Sequence, residues 1–330
     1  MDPLSQGVLG ATLPQALIKK TPYMKYGFLF AFLGGMAPDL DVLIKSDTDT
    51  LLALEFHRQF THSLIFIPFG ALICSIAFHY LFYKRMPFKL NYLYTLLGYA
   101  THGLLDACTT YGTQLFWPFS NTRVAWNNIS IIDPLFTIPL LILVFTSLIK
   151  KQPKYGKMAL LYGLLYLSFG VFQRNRAIDK GQKLAQERGH QVLSISAKAS
   201  FGNLLLWKVI YETNDKYYSD AVRTGFDIKI YPGESIEKLD LKKDFPWLIK
   251  GSQHSVDIER FRWFSMGYIA KHPDRKDFIY DIRYSFLPNQ MNGLWGIQLF
   301  EDNQESHVIF QPTRDLDEKT TQSFYKMLFE

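Results

Sequence analysis

The chain has 330 residues, 48% of them hydrophobic and 20% charged, with a formal net charge of +6. Its 36 basic and 30 acidic residues divide unevenly, 13 and 8 up to Phe172 and 23 and 22 after it. A basic excess confined to an apolar half, in short clusters between apolar runs, excludes a nucleic-acid patch and reads as a membrane-topology signal.

The two cysteines, Cys74 and Cys108, both lie in apolar stretches and make no disulfide framework. The opening Met1-Asp2-Pro3 lacks a positive segment, so no cleavable signal peptide is expected. The first apolar run, Leu4–Ile18, is short. The second, Tyr26–Ile44, is broken by Gly34, Gly35, Pro38 and two aspartates. Both are expected to span or to re-enter. Leu64–Tyr83, Leu90–Cys108 and Ile131–Ile149 hold 20, 19 and 19 residues. A helical span needs about 20, so these three are strong candidates. Met158–Phe172 is shorter and needs help from tilt or flanks.

Basic residues alternate between the connections. Lys19, Lys20 and Lys25 form one cluster, Lys84, Arg85 and Lys89 the next, and Lys150, Lys151, Lys154 and Lys157 the last. The intervening loops carry only Lys45, Arg58 and Arg123. The positive-inside rule then puts the first set in the cytoplasm and the second outside. Six passes with the N-terminus outside satisfy it. The expected fold is a polytopic α-helical membrane bundle of about five to six transmembrane or re-entrant helices, residues 1–173. A soluble, extracytoplasmic α+β domain, residues 174–330, follows. In that domain Leu204–Tyr211, Phe226–Tyr231, Phe278–Phe286 and Leu294–Phe300 read as strands. Asp257–Ile269 and Leu316–Leu328 read as helices.

This topology brings several polar clusters to the outer face. His102 and Asp106 are four apart, so on a helix they face one way and can reach one ion. A histidine–aspartate hydrogen bond joining helices is the alternative. Asp39 and Asp41 are two apart and do not share a helix face. Pro38 disfavours helix through Ala37, so the pair is expected on a turn where both carboxylates converge, or else as an interfacial cap. His57 and His62 are five apart, one in a loop and one at the start of the third run, where Thr61 is a potential helix cap. Imidazoles and carboxylates suit zinc, and also manganese or iron. Asp2, Gln6, Ser120, Arg123 and Asp133 form an outer polar group. Arg123 suits an anionic group such as phosphate, or a solvated or headgroup-facing position. His79, His190, His254, His272 and His307 share no spacing with the cluster and read as structural.

These stretches resemble the membrane-bound metal-dependent hydrolase family, the YdjM-like bacterial inner-membrane proteins. The resemblance runs through Asp2-Pro3-Leu4-Ser5-Gln6, Pro38-Asp39-Leu40-Asp41, His57-Arg58-Gln59-Phe60-Thr61-His62-Ser63 and His102-Gly103-Leu104-Leu105-Asp106. It continues through Thr109-Thr110-Tyr111-Gly112-Thr113-Gln114, Trp117-Pro118-Phe119-Ser120 and Ile132-Asp133-Pro134-Leu135, and covers roughly Met1 to Phe172. It implies an integral membrane hydrolase with a divalent-metal site at Asp39, Asp41, His57, His62, His102 and Asp106. Many members carry His where this chain has Gln6, a poor ligand. The family is also distantly similar to zinc-dependent phospholipase C, which shares an H-x-x-x-D element and implies phosphoester chemistry by analogy.

The function expected is therefore a metal-dependent hydrolase in a bacterial cytoplasmic membrane, its site facing out, with one or two divalent ions, zinc foremost. A metal-activated water attacks an ester, Asp39 or Asp41 serves as general base, and the substrate is an amphiphile such as a lipid phosphoester. Membrane lipids are the expected partners and nucleic acid is not. Two rivals remain: a structural or regulatory metal-binding membrane protein, and an ion transporter. The second would need ionisable residues continuing across to the cytoplasmic side, whereas these cluster at one face.

Overall fold

The structure, a computed structural model, describes residues 1–17, 21–313 and 317–330. Ile18, Lys19 and Lys20, at the end of the first apolar run, and Leu316, at the start of the last expected helix, lie outside the described residues. The chain divides into two compact units. The first contains 1–43, 56–172 and 201–204; the second contains 44–55, 173–200 and 205–330.

The first unit is helical. Helix α1 runs Pro3–Leu17 and α2 runs Met24–Met36. After α2 the chain tightens into a 3-10 helix, Ala37–Leu43; Ala37 keeps helical φ and ψ although Pro38 follows it, so the break expected there is a narrowing of the helix instead. The short α3, Leu52–Phe56, is followed by 3-10 turns at Phe60–His62 and Leu64–Phe66. The longer α4 (Ile67–Leu81), α5 (Phe88–Ala107), α6 (Pro134–Lys150) and α7 (Pro153–Glu187) follow. The apolar run expected to end at Phe172 therefore continues as one helix for another 15 residues, its later part belonging to the second unit.

Among the described residues, three stretches are long and apolar enough to cross a membrane, Met24–Leu43, Leu64–Leu81 and Pro153–Glu187. Helix α6 is apolar but shorter. The outward residues of α4 and α6, such as Phe69, Ile73, Ile142 and Ile149, are exposed and apolar. A water-facing helix shows the reverse pattern, polar residues outward and apolar residues in.

Helices α1, α2, α4 and α5 pack closely. A Cβ at Gly98 of α5 would lie 2.1 Å from the Ala31 carbonyl oxygen of α2, so only glycine permits this approach. Val8 and Ala11 of α1, Leu105 of α5 and Phe136, Leu140 and Val144 of α6 share one apolar core.

The second unit is built on two antiparallel sheets. The first contains β1 (Ser194–Ala199), β2 (Leu206–Glu212), β3 (Lys216–Thr224) and β4 (Ile228–Tyr231) in that order, with β5 (Ser235–Glu237) also pairing β3. After α8 (Leu241–Asp244) and α9 (Gln253–Phe264) comes a meander of β6 (Ile269–Lys271), β7 (Phe278–Asp281), β8 (Trp295–Gln298) and β9 (Ile309–Pro312). Helix α10 runs Glu318–Phe329. The helix expected to reach Ile269 stops at Phe264, because Met266 and Gly267 take positive φ and Ile269 enters a strand. Segment 44–55 joins this unit through Arg260, which binds Asp49, Glu55 and Asp257.

Lys208 of β2 is buried, and burial pushes its amine down to about 7 from an ordinary 10.5. The unfolded chain then holds a proton that the folded one has released between those values. Stability should rise with pH from about 7 toward 10, by up to about 1.4 kcal/mol per pH unit from this group. Lys208→Met should flatten that rise in denaturation curves taken at pH 7, 8 and 9. An unchanged slope would exclude Lys208 as its source.

Candidate metal centre

Three elements of the first unit converge. The 3-10 turn after α2 carries Asp39 and Asp41. With three residues per turn, positions two apart are separated by about 120° rather than opposed, so both carboxylates reach one side. The segment after α3 supplies His57, Arg58 and His62. Helix α5 supplies His102 and Asp106, stacked one turn apart.

Asp39, His62, His102 and Asp106 each place one ligand atom within 4.8 Å of all the others. His62 Nε2 lies 2.9 Å from His102 Nε2. Asp39 Oδ1 is 3.4 and 3.3 Å from these two nitrogens, and Asp106 Oδ2 is 3.2 and 3.7 Å away. All four residues are buried except Asp39, whose side chain is 21% exposed.

The surrounding hydrogen bonds set the tautomers. His102 Nδ1 donates to the Gly35 carbonyl at 2.6 Å, leaving the Nε2 lone pair facing the cluster. Thr61 donates its hydroxyl to Asp41 Oδ2 at 2.9 Å and so accepts from His62 Nδ1 at 2.9 Å. His62 thus also turns a bare Nε2 inward. Two imidazole lone pairs and two carboxylate oxygens then face one another, with Arg58 Nε, 2.9 Å from Asp106 Oδ2, as a cation against one of them. A positive charge at the centre, a proton or a cation, satisfies the two facing imidazole nitrogens. Two nitrogens and two oxygens fit a divalent ion of the zinc, manganese or iron type. Without an ion the proton sits on His62. Burial opposes its protonation, but hydrogen bonds to Asp106, Asp39 and Asp41 outweigh this and raise its pKa to about 10.

A second group, Asp39, Asp41 and His57, also comes within range. Its oxygens are more occupied. Asp41 accepts from the Arg58 N–H at 3.0 Å and from Thr61, and pairs with His57 Nδ1 at 2.8 Å. Thr61, expected to cap the next helix, instead spends its hydroxyl on Asp41.

Arg58 links the two groups. Its Nε lies 2.9 Å from Asp106 Oδ2 and its Nη1 donates to Thr109 Oγ1 at 2.8 Å. Its φ of 66° is rare for a side chain of this size. The position was legible as part of a motif, its role was not, because neither the backbone turn nor the pairing with Asp106 has a sequence signal. Gly103 was hidden likewise. A Cβ there would meet the His62 carbonyl at 2.3 Å, so glycine lets the His62 turn lie against α5.

Gln6 donates from Nε2 to Asp106 Oδ1 at 2.8 Å, and the Met1 amino group contacts the same oxygen. Arg123 is buried, with its guanidinium bonded to the carbonyls of Gly112 (3.1 Å) and His57 (3.3 Å) and set over the Tyr111 ring. The solvated position weighed for it is not the one observed. Asp2 accepts from Ser5 N–H at the start of α1, and Asp133 caps α6 and binds the Tyr166 hydroxyl. Ser120 stays in an exposed turn with Thr122. His79 lies edge-on to Phe88. His190 pairs with Tyr211, His272 accepts turn N–H groups, His307 binds Asp257, and His254 is packed near Phe300.

The family model described as YdjM inner membrane protein matches residues 1–177, which contain every residue of this cluster. The chain is also 35% identical over 123 residues to the "Uncharacterized protein YfhP" of Bacillus subtilis (strain 168). That match covers 37% of this chain and 37% of the relative. No solved structure matches. With more than half its length matched, the chain belongs to the YdjM inner membrane protein family.

Proposed function

We propose that this protein is a metal-dependent hydrolase of the bacterial cytoplasmic membrane, acting at the outer face on an ester of an amphiphile, a lipid phosphoester foremost. The observation that carries the reading is the meeting of Asp39, His62, His102 and Asp106, with two imidazole nitrogens facing each other. A divalent ion held there supplies Lewis acidity and lowers the pKa of bound water toward neutrality. Asp39, the one partly exposed member, is placed to take the proton of the attacking water. Asp41 orients His57 and His62, and Arg58 holds Asp106. The exposed Leu40, Val42 and Leu43 beside the acids suit an apolar chain arriving from the membrane.

The alternation of basic loops supports five to six passes, with the cluster and residues 174–330 outside. A reporter fused after Phe172 should be active only outside, and activity confined to the cytoplasm would defeat the outward-facing reading. The rival, metal binding without turnover, draws on Gln6, a poor metal ligand that bonds Asp106 at the centre's edge. Purified protein loaded with zinc or manganese should release headgroup or phosphate from at least one lipid phosphoester, and Asp39→Asn should weaken metal binding and abolish turnover even when excess metal keeps it loaded. A loaded wild type that leaves the whole lipid panel intact would favour the rival.

A further inference from the structure

The second unit holds a cluster of charge that its fold does not need. Lys198 of β1 and Lys208 of β2 are direct cross-strand partners, so both side chains leave the same face of the sheet. Both are buried, Lys198 to 5% exposure. Like charges opposed in a sheet are unfavourable, and burial adds the cost of desolvation. Arg283 is buried nearby and forks onto Asp281, its Nε at 2.9 Å and its Nη2 at 2.6 Å from the two carboxylate oxygens. The one buried acid among these cations is thus already engaged.

The two lysines are not equally satisfied. Lys208 Nζ donates to Ser285 Oγ at 2.8 Å and to the Gln290 carbonyl. Among the described residues no hydrogen bond or ion pair reaches Lys198 Nζ. It lies 5.1 Å and 5.7 Å from the ring centroids of Tyr268 and Tyr284, both only partly buried. Burial, with the Arg283 charge beside it, holds this amine well below the ordinary lysine range. An ammonium carries three N–H donors. Once protonated, as an adjacent anion would favour, Lys198 offers three uncommitted donors and Lys208 one, beside the rings of Tyr268 and Tyr284.

We propose that Lys198 and Lys208 form an oxyanion site that binds a phosphate group, free or borne on a lipid headgroup. The chemistry follows from the donors. Several N–H groups on neighbouring cationic centres match the several acceptor oxygens of phosphate, and its charge offsets the opposed amines. The proposal stands apart from the membrane centre, since every residue in it belongs to the second unit.

Full-length protein in detergent would be titrated with sodium phosphate against chloride of equal ionic strength, and separately with short-chain phosphatidic acid, following the melting temperature. Saturable stabilisation is expected in at least one arm. The phosphate arm identifies free anion, and response to the lipid alone identifies a headgroup. Lys198→Met should weaken the apparent affinity by about tenfold to a hundredfold, the scale of a lost charged hydrogen bond. Lys198→Arg and the exposed Lys242→Met should retain it. The membrane centre is untouched in Lys198→Met, so phosphate bound there affects both proteins alike. As a readout on wild type alone, phosphate or the lipid should protect Lys198, and not Lys242, from an amine-acetylating reagent. No stabilisation in either arm, or equal stabilisation of wild type and Lys198→Met, would overturn the proposal, as would absence of protection.

Discussion

His102→Ala and Asp106→Ala should each lose the bound divalent ion while the protein stays folded in detergent. Both residues are fully buried on α5 and each offers one of the four atoms that could hold the ion. Changes to groups that merely orient a ligand cost about tenfold to a hundredfold in metal affinity, and removal of a ligand should exceed that. Asp41→Asn, which disturbs the orientation of His57 and His62, should fall within the smaller range. Binding should also tighten with pH. The metal-free centre keeps a proton on His62 up to about pH 10, and the ion must displace it. Apparent affinity should therefore rise about tenfold per pH unit through the neutral range for this one proton. Metal content by elemental analysis and affinity by competition with a chromogenic chelator give the readings. Wild-type stoichiometry preserved in His102→Ala would remove the centre as described.

Much of this centre was legible because helix geometry is regular. His102 and Asp106 meet because four residues make just over one turn, whatever surrounds them. Pro38 suggested a break, but Ala37 stays helical and the chain narrows into the 3-10 helix that lets Asp39 and Asp41 point together. Other parts depend on contacts that leave no local trace. The tautomer of His102 rests on the carbonyl of Gly35, 67 residues away, and the holding of Asp106 on Arg58, 48 residues away. Segment 44–55 reads as a plain loop, but its Glu55 meets Arg260 across 205 residues. In the second unit, β3 is missed as a strand because KYYSDAVRT mixes charge on both faces. Its neighbours bury it regardless, and local propensity yields to packing. Lys198, in the weak strand SISAKA, looks like an ordinary surface lysine until its cross-strand partner is known.

Arg58→Met should destabilise the metal-free protein by about 1.5–3 kcal/mol, the scale of one lost charged hydrogen bond, since Gln6 and the Met1 amino group stay on Asp106 Oδ1. Asp106 is fully buried, and Arg58 Nε at 2.9 Å is the closest side-chain cation to its Oδ2. Methionine fills similar volume and suffers the same backbone penalty at a φ of 66°, so the loss isolates the guanidinium. Lysine should not rescue it, because one ammonium cannot meet both Asp106 and Thr109 as the fork does. A bound divalent ion alters the balance. The same Oδ2 then lies beside a divalent charge, and the carboxylate is better compensated when Arg58 is lost. The cost of Arg58→Met should thus shrink markedly in zinc-loaded protein compared with chelated protein, read from denaturant midpoints in mixed micelles. Equal costs with and without the ion would mean that Arg58 and the metal do not share Asp106, and that the centre lies elsewhere among these acids.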